Sequence, residues 1–249
     1  MTRKMSSEEM FETTEAYYSH FCGMNISTTK PGIHFVPTSQ RDLELKGYGC
    51  KITIFVLVKD DLCIVSFSPK HQHLINDLID NDTYGVIAQM IKTFKLKKNQ
   101  LMIFHREVIH QFGEARILNL GDFSLFETFF RANNPMADPE SWLFEYFSEK
   151  VSKEYFAGYC INSKLVSVSD APDMPYLESK IQHTGISTLK EERRKGFGKR
   201  TVGLATHHLI ELGICPQWQC DADNIASIAL ARSIGYQDYG IAYFLEEPV

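Results

Sequence analysis

The sequence predicts an α/β (α+β) protein in two parts, an N-terminal α/β domain over 1–114 and a second domain over 115–249. Three observations lead to this. β-Branched and aromatic runs at 51–58 and 62–67 flank Lys59-Asp60-Asp61, and runs at 155–161 and 165–169 flank Asn162-Ser163-Lys164; both are hairpin signals. Helical periodicity with capping residues separates these pairs from further extended runs. After the polar stretch 106–114, which reads as a junction, the order of strand, helices and strands restarts.

In order, Ser6-Ser7-Glu8-Glu9 has the form of a capping box, and Met10, Thr14, Tyr17 and Phe21 follow at helical spacing. Residues 22–49 carry glycines and prolines and read as loop with short extended pieces. After the first hairpin, Ser68 as N-cap and Pro69 at the first helical position start a helix bearing Leu74, Ile75, Leu78 and Ile79. A second helix is predicted over 84–94 and a strand over 101–105. In the second part, Ile117 and Leu118 fit a strand. Gly121-Asp122 opens a helix with Phe123, Phe126 and Phe130, and Asp138-Pro139-Glu140 caps another bearing Trp142, Leu143 and Tyr146. One longer strand is expected over 176–188. A helix follows Gly198 with Val202, Ala205, Leu209 and Leu212 on one face and Gly213 to end it. Strands over 214–220 and 241–245 enclose a helix beginning at Asn224.

Composition removes several classes. The chain is 44% hydrophobic and 12% aromatic, enough for a packed core, and no run approaches the ~18 apolar residues of a membrane span. The opening MTRKMSSEEM lacks the apolar stretch of a secretory signal, so a cytoplasmic protein without membrane association is expected. Six scattered cysteines without C-x-x-C spacing point to reduced thiols. A net charge of −5 argues against nucleic acid as a partner. His71 with His73 and His105 with His110 have no carboxylate or cysteine at ligand spacing, so no metal is expected, and His207 and His208 read as packing or surface residues.

Against this acidic background, 190–200 holds six basic residues and two acidic ones. Gly196 and Gly198 bracket Phe197 where the helical pattern begins. Side chains there cannot block the backbone N–H groups, and a helix's first turn leaves those groups unpaired at the positive end of its dipole, so the stretch suits an anion. It is not a P-loop, because Arg193 stands where the first glycine should be and Arg200 follows Lys199. Nor is it a dinucleotide fingerprint, whose third glycine is here Thr201.

Arg193, Gly196 and Gly198 do fit Arg/Gln-x-x-Gly-x-Gly/Ala, and 26 residues past Gly198 comes Asn224-Ile225-Ala226-Ser227, closed by Ile234-Gly235-Tyr236. These two stretches resemble the acyl-CoA signatures of the GNAT superfamily of N-acetyltransferases, a resemblance covering roughly 115–249; length and the separate N-terminal half look most like its zwittermicin-resistance group. The resemblance implies a GNAT-like mixed, largely antiparallel sheet flanked by helices, with acetyl-CoA as co-substrate. Backbone around Ile186, Ser187 and Thr188 would hold the pantetheine and acetyl carbonyl. Arg193, Arg194, Lys195, Gly196, Phe197, Gly198 and Lys199 would hold the pyrophosphate, with Asn224 and Ser227 beside the pantetheine arm. A plainer reading makes the loop a solvated turn and Asn224 a helix N-cap.

Acetyl transfer needs a polarised thioester carbonyl, a neutral amine and a protonated leaving thiolate. Many relatives carry Tyr four residues before the closing glycine, where this chain has Ala231, so thiolate protonation needs another donor, with Ser227 and then Tyr236 as candidates, or water. For the base the candidates are Glu178, His183, Asp221 and Asp223; capping or surface charge is the alternative role of each. The expected activity is N-acetylation of a primary amine on a small molecule by a monomer or homodimer, with 1–114 helping to wall the acceptor site. The alternative is a non-catalytic acyl-CoA-binding regulatory module, and acyl length is left open.

Overall fold

The computed structural model describes residues 4–76, 78, 82–106 and 111–249. In chain order the elements are α1 (Ser7–Cys22), β1 (Gly32–Pro37), β2 (Cys50–Lys59), β3 (Leu62–Phe67), α2 (Gln72–Asn76), α3 (Thr83–Phe94), β4 (Lys97–Phe104), β5 (Ala115–Ile117), α4 (Phe123–Asn133), α5 (Leu143–Ser152), β6 (Ala157–Ile161), β7 (Lys164–Ser169), β8 (Ile181–His183), β9 (Ser187–Thr188), α6 (Phe197–Glu211), β10 (Cys215–Asp221), α7 (Ile225–Ile234) and β11 (Tyr236–Pro248). Among the described residues the strands form a seven-stranded sheet, β1-β3-β2-β11-β4-β10-β8, and a four-stranded sheet, β5-β6-β7-β9. β1 runs parallel to β3 and β10 to β8, and the other neighbours are antiparallel, so the architecture is the mixed, largely antiparallel one expected.

Local chemistry explains most boundaries. The Ser6 side chain accepts from the Glu9 N–H while Glu9 bonds back to Ser6, closing the capping box that starts α1. Asn162 and Ser163 both take positive φ, 47° and 60°, the backbone that a two-residue hairpin needs between β6 and β7. β2 and β3 read as nearly unbroken apolar runs because both their faces are covered. Tyr17, Tyr18 and Phe21 of α1 share a core with Phe55, Leu57 and Ile64, while Ile54, Val56, Val65 and Phe67 on the other face pack with Ile75, Val86 and Met90. A third core joins α4 and α5 to the smaller sheet, with the rings of Phe126 and Phe147 stacked 4.8 Å apart.

Three expectations are corrected. Asp138 caps only the Glu140 N–H, at 3.3 Å, and α5 starts later at Leu143, because the Trp142 indole donates back to the Asp138 carbonyl at 3.0 Å and holds a turn between them. The segment from Ser68 opens as a 3-10 turn and α2 ends at Asn76; Ile79 lies outside the described residues. The run 176–188 is not one strand. Residues 181–183 pair with β10 in the larger sheet, Ser187 and Thr188 pair with β7 in the smaller, and the chain passes from one to the other at Thr184 to Ile186.

The larger sheet takes strands from both sides of residue 114: β4 lies between β10 and β11, and β11 pairs with β2. All six cysteines are free thiols. No helix among the described residues is long and apolar enough to cross a membrane.

Candidate active site

The passage of the chain between two sheets opens a cleft. The N–H of Gly185 and of Leu189 turn toward β7, to the carbonyls of Asp170 and Val166 at 3.1 and 3.0 Å, whereas the Thr184 N–H turns the opposite way, to Gln217 of β10 at 3.1 Å. Alternation along an extended chain then puts the Ile186 N–H on the Thr184 side, where β10 has already diverged. Ile186 lines a cavity of about 550 Å³, whose other walls are 187–188, 192–194 and 196–199 of the turn, and Asn224 with residues of α7.

The turn leaves backbone donors and cations beside the cavity, a setting that suits an anion. Gly196 takes φ 84° at the N-cap of α6, a backbone that favours glycine, and no side chain caps the helix, so the first-turn N–H groups are left to the cavity. Arg193 Nε donates to the Thr188 carbonyl at 3.1 Å and ties the turn to β9. The turn's carboxylates are occupied by lysines, Glu192 with Lys195 at 2.8 Å and Glu191 with Lys164 at 3.2 Å. A Cβ at Gly198 would stand 3.1 Å from Thr188 Oγ1, so glycine keeps that wall open.

Across the cavity the Asn224 side chain accepts from the Ser227 N–H at 3.0 Å, the N-cap role. The Trp218 indole N–H donates to Ser227 Oγ at 3.1 Å. With that lone pair engaged, the Ser227 hydroxyl retains its own proton as a donor. Ala231 is fully buried on the packed side of α7 and does not line the cavity.

Of the residues marked in sequence, Ile186, Ser187, Thr188, Arg193, Arg194, Gly196, Phe197, Gly198, Lys199, Asn224 and Ser227 all line this cavity. Lys195 does not, being turned to Glu192. Glu192, Ala226 and Leu230 also line it and carry no motif signal. The other marked groups are elsewhere. Glu178 pairs with Lys46 at 2.6 Å and Lys153 at 3.1 Å; hydrogen bonds from the two lysines hold its carboxyl down at about 2, and it lines neither this cavity nor the one described next. His183 is buried and burial pushes its imidazole down to about 4, so it is neutral at pH 7. Asp221 and Asp223 lie at the end of β10, outside both linings. The Tyr236 hydroxyl is buried 3.2 Å from Thr184 Oγ1 and 3.2 Å from Thr206 Oγ1, and burial raises its pKa, so it braces the split from beneath. No group of metal-ligating side chains occurs among the described residues, and His110 lies outside them.

A second cavity, of about 330 Å³, adjoins the first at Ser187, which lines both. α4 and α5 supply Phe126, Phe129, Phe130 and Tyr146, Trp142 stands at the mouth, and Asp170 comes from the end of β7. Burial raises the Asp170 carboxyl above its usual range, and it has no ion-pair partner among the described residues. Sequence reasoning missed this site. Phe126, Phe130 and Tyr146 at helical spacing look the same whether they face a core or a cavity, and Asp170 has no motif.

A model described as GNAT acetyltransferase matches residues 58–241. Among solved structures, the chain is similar in fold to an acetyltransferase of the GNAT family from Colwellia psychrerythraea, at 15% identity, 96% of each chain and a TM-score of 0.56. It is also similar to a GNAT-family acetyltransferase from Novosphingobium aromaticivorans, at 18% identity, 62% of this chain, 66% of that chain and a TM-score of 0.46. No curated protein sequence matches it.

Proposed function

This chain belongs to the GNAT acetyltransferase family, and from that premise we propose that it is an N-acetyltransferase moving an acetyl group from acetyl-CoA to the primary amine of a small molecule. The observation that carries the reading is the pair of cavities that meet at Ser187, one walled by an uncapped helix N-terminus and basic turn, the other by a carboxylate and aromatic rings. The donor fits the first. Its pyrophosphate suits the N–H groups and cations of 193–199, and its pantetheine suits the strip between 186–188 and α7.

In the transfer, the Ile186 N–H donates to the thioester carbonyl and favours the charge that grows on its oxygen. The amine nitrogen bonds to the carbonyl carbon, the C–S bond breaks, and the Ser227 hydroxyl, oriented by Trp218, protonates the departing thiolate. Lining residues of the acceptor cavity all fall within 126–187, so in this reading residues 1–114 support the sheet and do not wall the acceptor. We take the protein to act in the cytoplasm as a monomer or homodimer, without nucleic acid or membrane.

Calorimetric titration of acetyl-CoA into wild type and an Arg193→Ala, Gly198→Glu double variant, with thiol release followed over a panel of amines, tests the proposal. Binding by wild type, its loss in the variant, and release with some amine are expected. A wild type that does not bind acetyl-CoA refutes the donor site, and one that binds but acetylates no amine refutes the reaction.

A further inference from the structure

We infer that the acceptor is a monocationic primary amine with a compact apolar or aromatic body, held in the cavity between α4, α5 and β7, and that Asp170 is the base that takes the proton from its ammonium. The inference rests on the donor site proposed above. It begins from charge: Asp170 is the one formally charged group in that cavity's lining, alongside the neutral amides of Asn133 and Asn134. One carboxylate suits one ammonium. The aromatic faces of Phe130, Trp142 and Tyr146 add attraction for a cation and an apolar surface for what it is attached to. Polycations would leave charges unpaired there, and an amino acid would bring its own carboxylate against Asp170.

Position supports the role. The Gly185 N–H donates to the Asp170 carbonyl at 3.1 Å, and a Cβ on Gly185 would fall 1.8 Å from Asp170 Oδ1. The carboxylate is thus seated against the bend that splits the sheet. Base, carbonyl-polarising N–H and the meeting point of the two cavities are set by consecutive stretches of one chain: Gly185, Ile186 and Ser187. Asp173, three residues on, is paired with Lys150 and leaves Asp170 unopposed. A half-buried carboxyl, raised above its usual range by that burial, is a stronger base than a fully solvated one.

The proton balance closes. Asp170 takes one proton from the ammonium and returns it to water, the free amine bonds to the acetyl carbon as the C–S bond breaks, the thiolate gains the Ser227 proton, and the amine's second proton, passed through water, restores the Ser227 hydroxyl. The products are an N-alkylacetamide and the free thiol.

The test is Asp170→Asn, assayed for acetyl-CoA binding by calorimetry and for thiol release with phenethylamine, butylamine, spermidine and glycine. Acetyl-CoA binding is expected to stay at the wild-type value, while turnover of phenethylamine falls about 100-fold or more. The loss should shrink as pH rises toward the amine's own pKa, because hydroxide then supplies the free base. The other titratable group lining the cavity, Tyr146, is held neutral by burial and does not shape that profile. Unchanged turnover with unchanged pH dependence overturns the role of Asp170 while leaving the donor site intact; loss of acetyl-CoA binding in wild type sinks the donor site itself. Preference for spermidine or glycine overturns the substrate class. Trp142→Ala, at a half-exposed position, gives an independent reading: KM for phenethylamine is expected to rise about tenfold, equivalent to one cation–π contact, with kcat within twofold. An unchanged KM overturns the cavity assignment.

Discussion

Gly185→Ala separates the catalytic geometry from the stability of the fold. The new methyl carbon would lie 1.8 Å from Asp170 Oδ1 and 3.0 Å from its Cγ, against an ordinary separation of roughly 3.5 Å. The carboxylate must therefore swing by roughly 1.5 Å, and it can, because the nearest backbone atom, the Asp170 carbonyl oxygen, is 3.6 Å from the new methyl. The fold then loses only a modest overpacking cost, about 1 to 2 kcal/mol, or a midpoint drop of roughly 2 to 8 °C for a chain this size. Catalysis is far less tolerant, since a misplacement of about 1 Å costs on the order of 100-fold. The assay pairs thermal unfolding with steady-state thiol release. A variant that melts a few degrees early yet turns over at the wild-type rate would refute the idea that the seat on Gly185 sets the base.

Ser227→Ala removes the acceptor of the Trp218 indole, which is 2% exposed, so unfolding should show a loss of about 1 to 3 kcal/mol, with kcat down about tenfold and acetyl-CoA affinity unchanged by calorimetry. Arg116 holds Asp122 through two hydrogen bonds, of 2.6 and 2.5 Å, and the Asp122 carboxyl is depressed chiefly by them. A depressed carboxyl stabilises fully above its unfolded pKa, near ~3.9, and loses that contribution as pH falls through the folded value. Arg116→Ala, with Arg116 itself partly exposed, should cost about 1 to 2 kcal/mol at pH 7 and flatten the acid limb of stability against pH, measured by urea unfolding. Glu178→Gln breaks exposed pairs away from both cavities, and kcat/KM is expected to stay within twofold; a loss of 100-fold would restore Glu178 as a base.

What was legible in the sequence is what local chemistry decides. The Ser6 and Glu9 capping box, the Asn224 cap and the Asn162-Ser163 turn each depend on groups within a few residues. The turn that walls the larger cavity is legible for the same reason, since its glycines act through their own backbone and Arg193 through one adjacent strand. Asp170 is not, because its meaning depends on Gly185, fifteen residues on, and on aromatic rings from two helices that precede it. The break in 176–188 is hidden likewise. Ile181 and Thr188 both suit a strand, and only their partners, β10 for one and β7 for the other, differ.

Those partners also explain how residues 1–114 reach the site without lining the acceptor cavity. β10 is held by β8 from Cys215 to Gln217, and there β8's chain departs toward the smaller sheet. From Gln217 to Asp221 the strand is held on its other edge by β4, in register with Ile103 to Asn99. The half of β10 that faces the opening therefore keeps its position through a strand from the N-terminal part, and β11 clamps β4 in turn. The gap between β9 and β10, through which the proposed donor would enter, is thus bounded by a strand that β4 holds as well as by the turn 192–199.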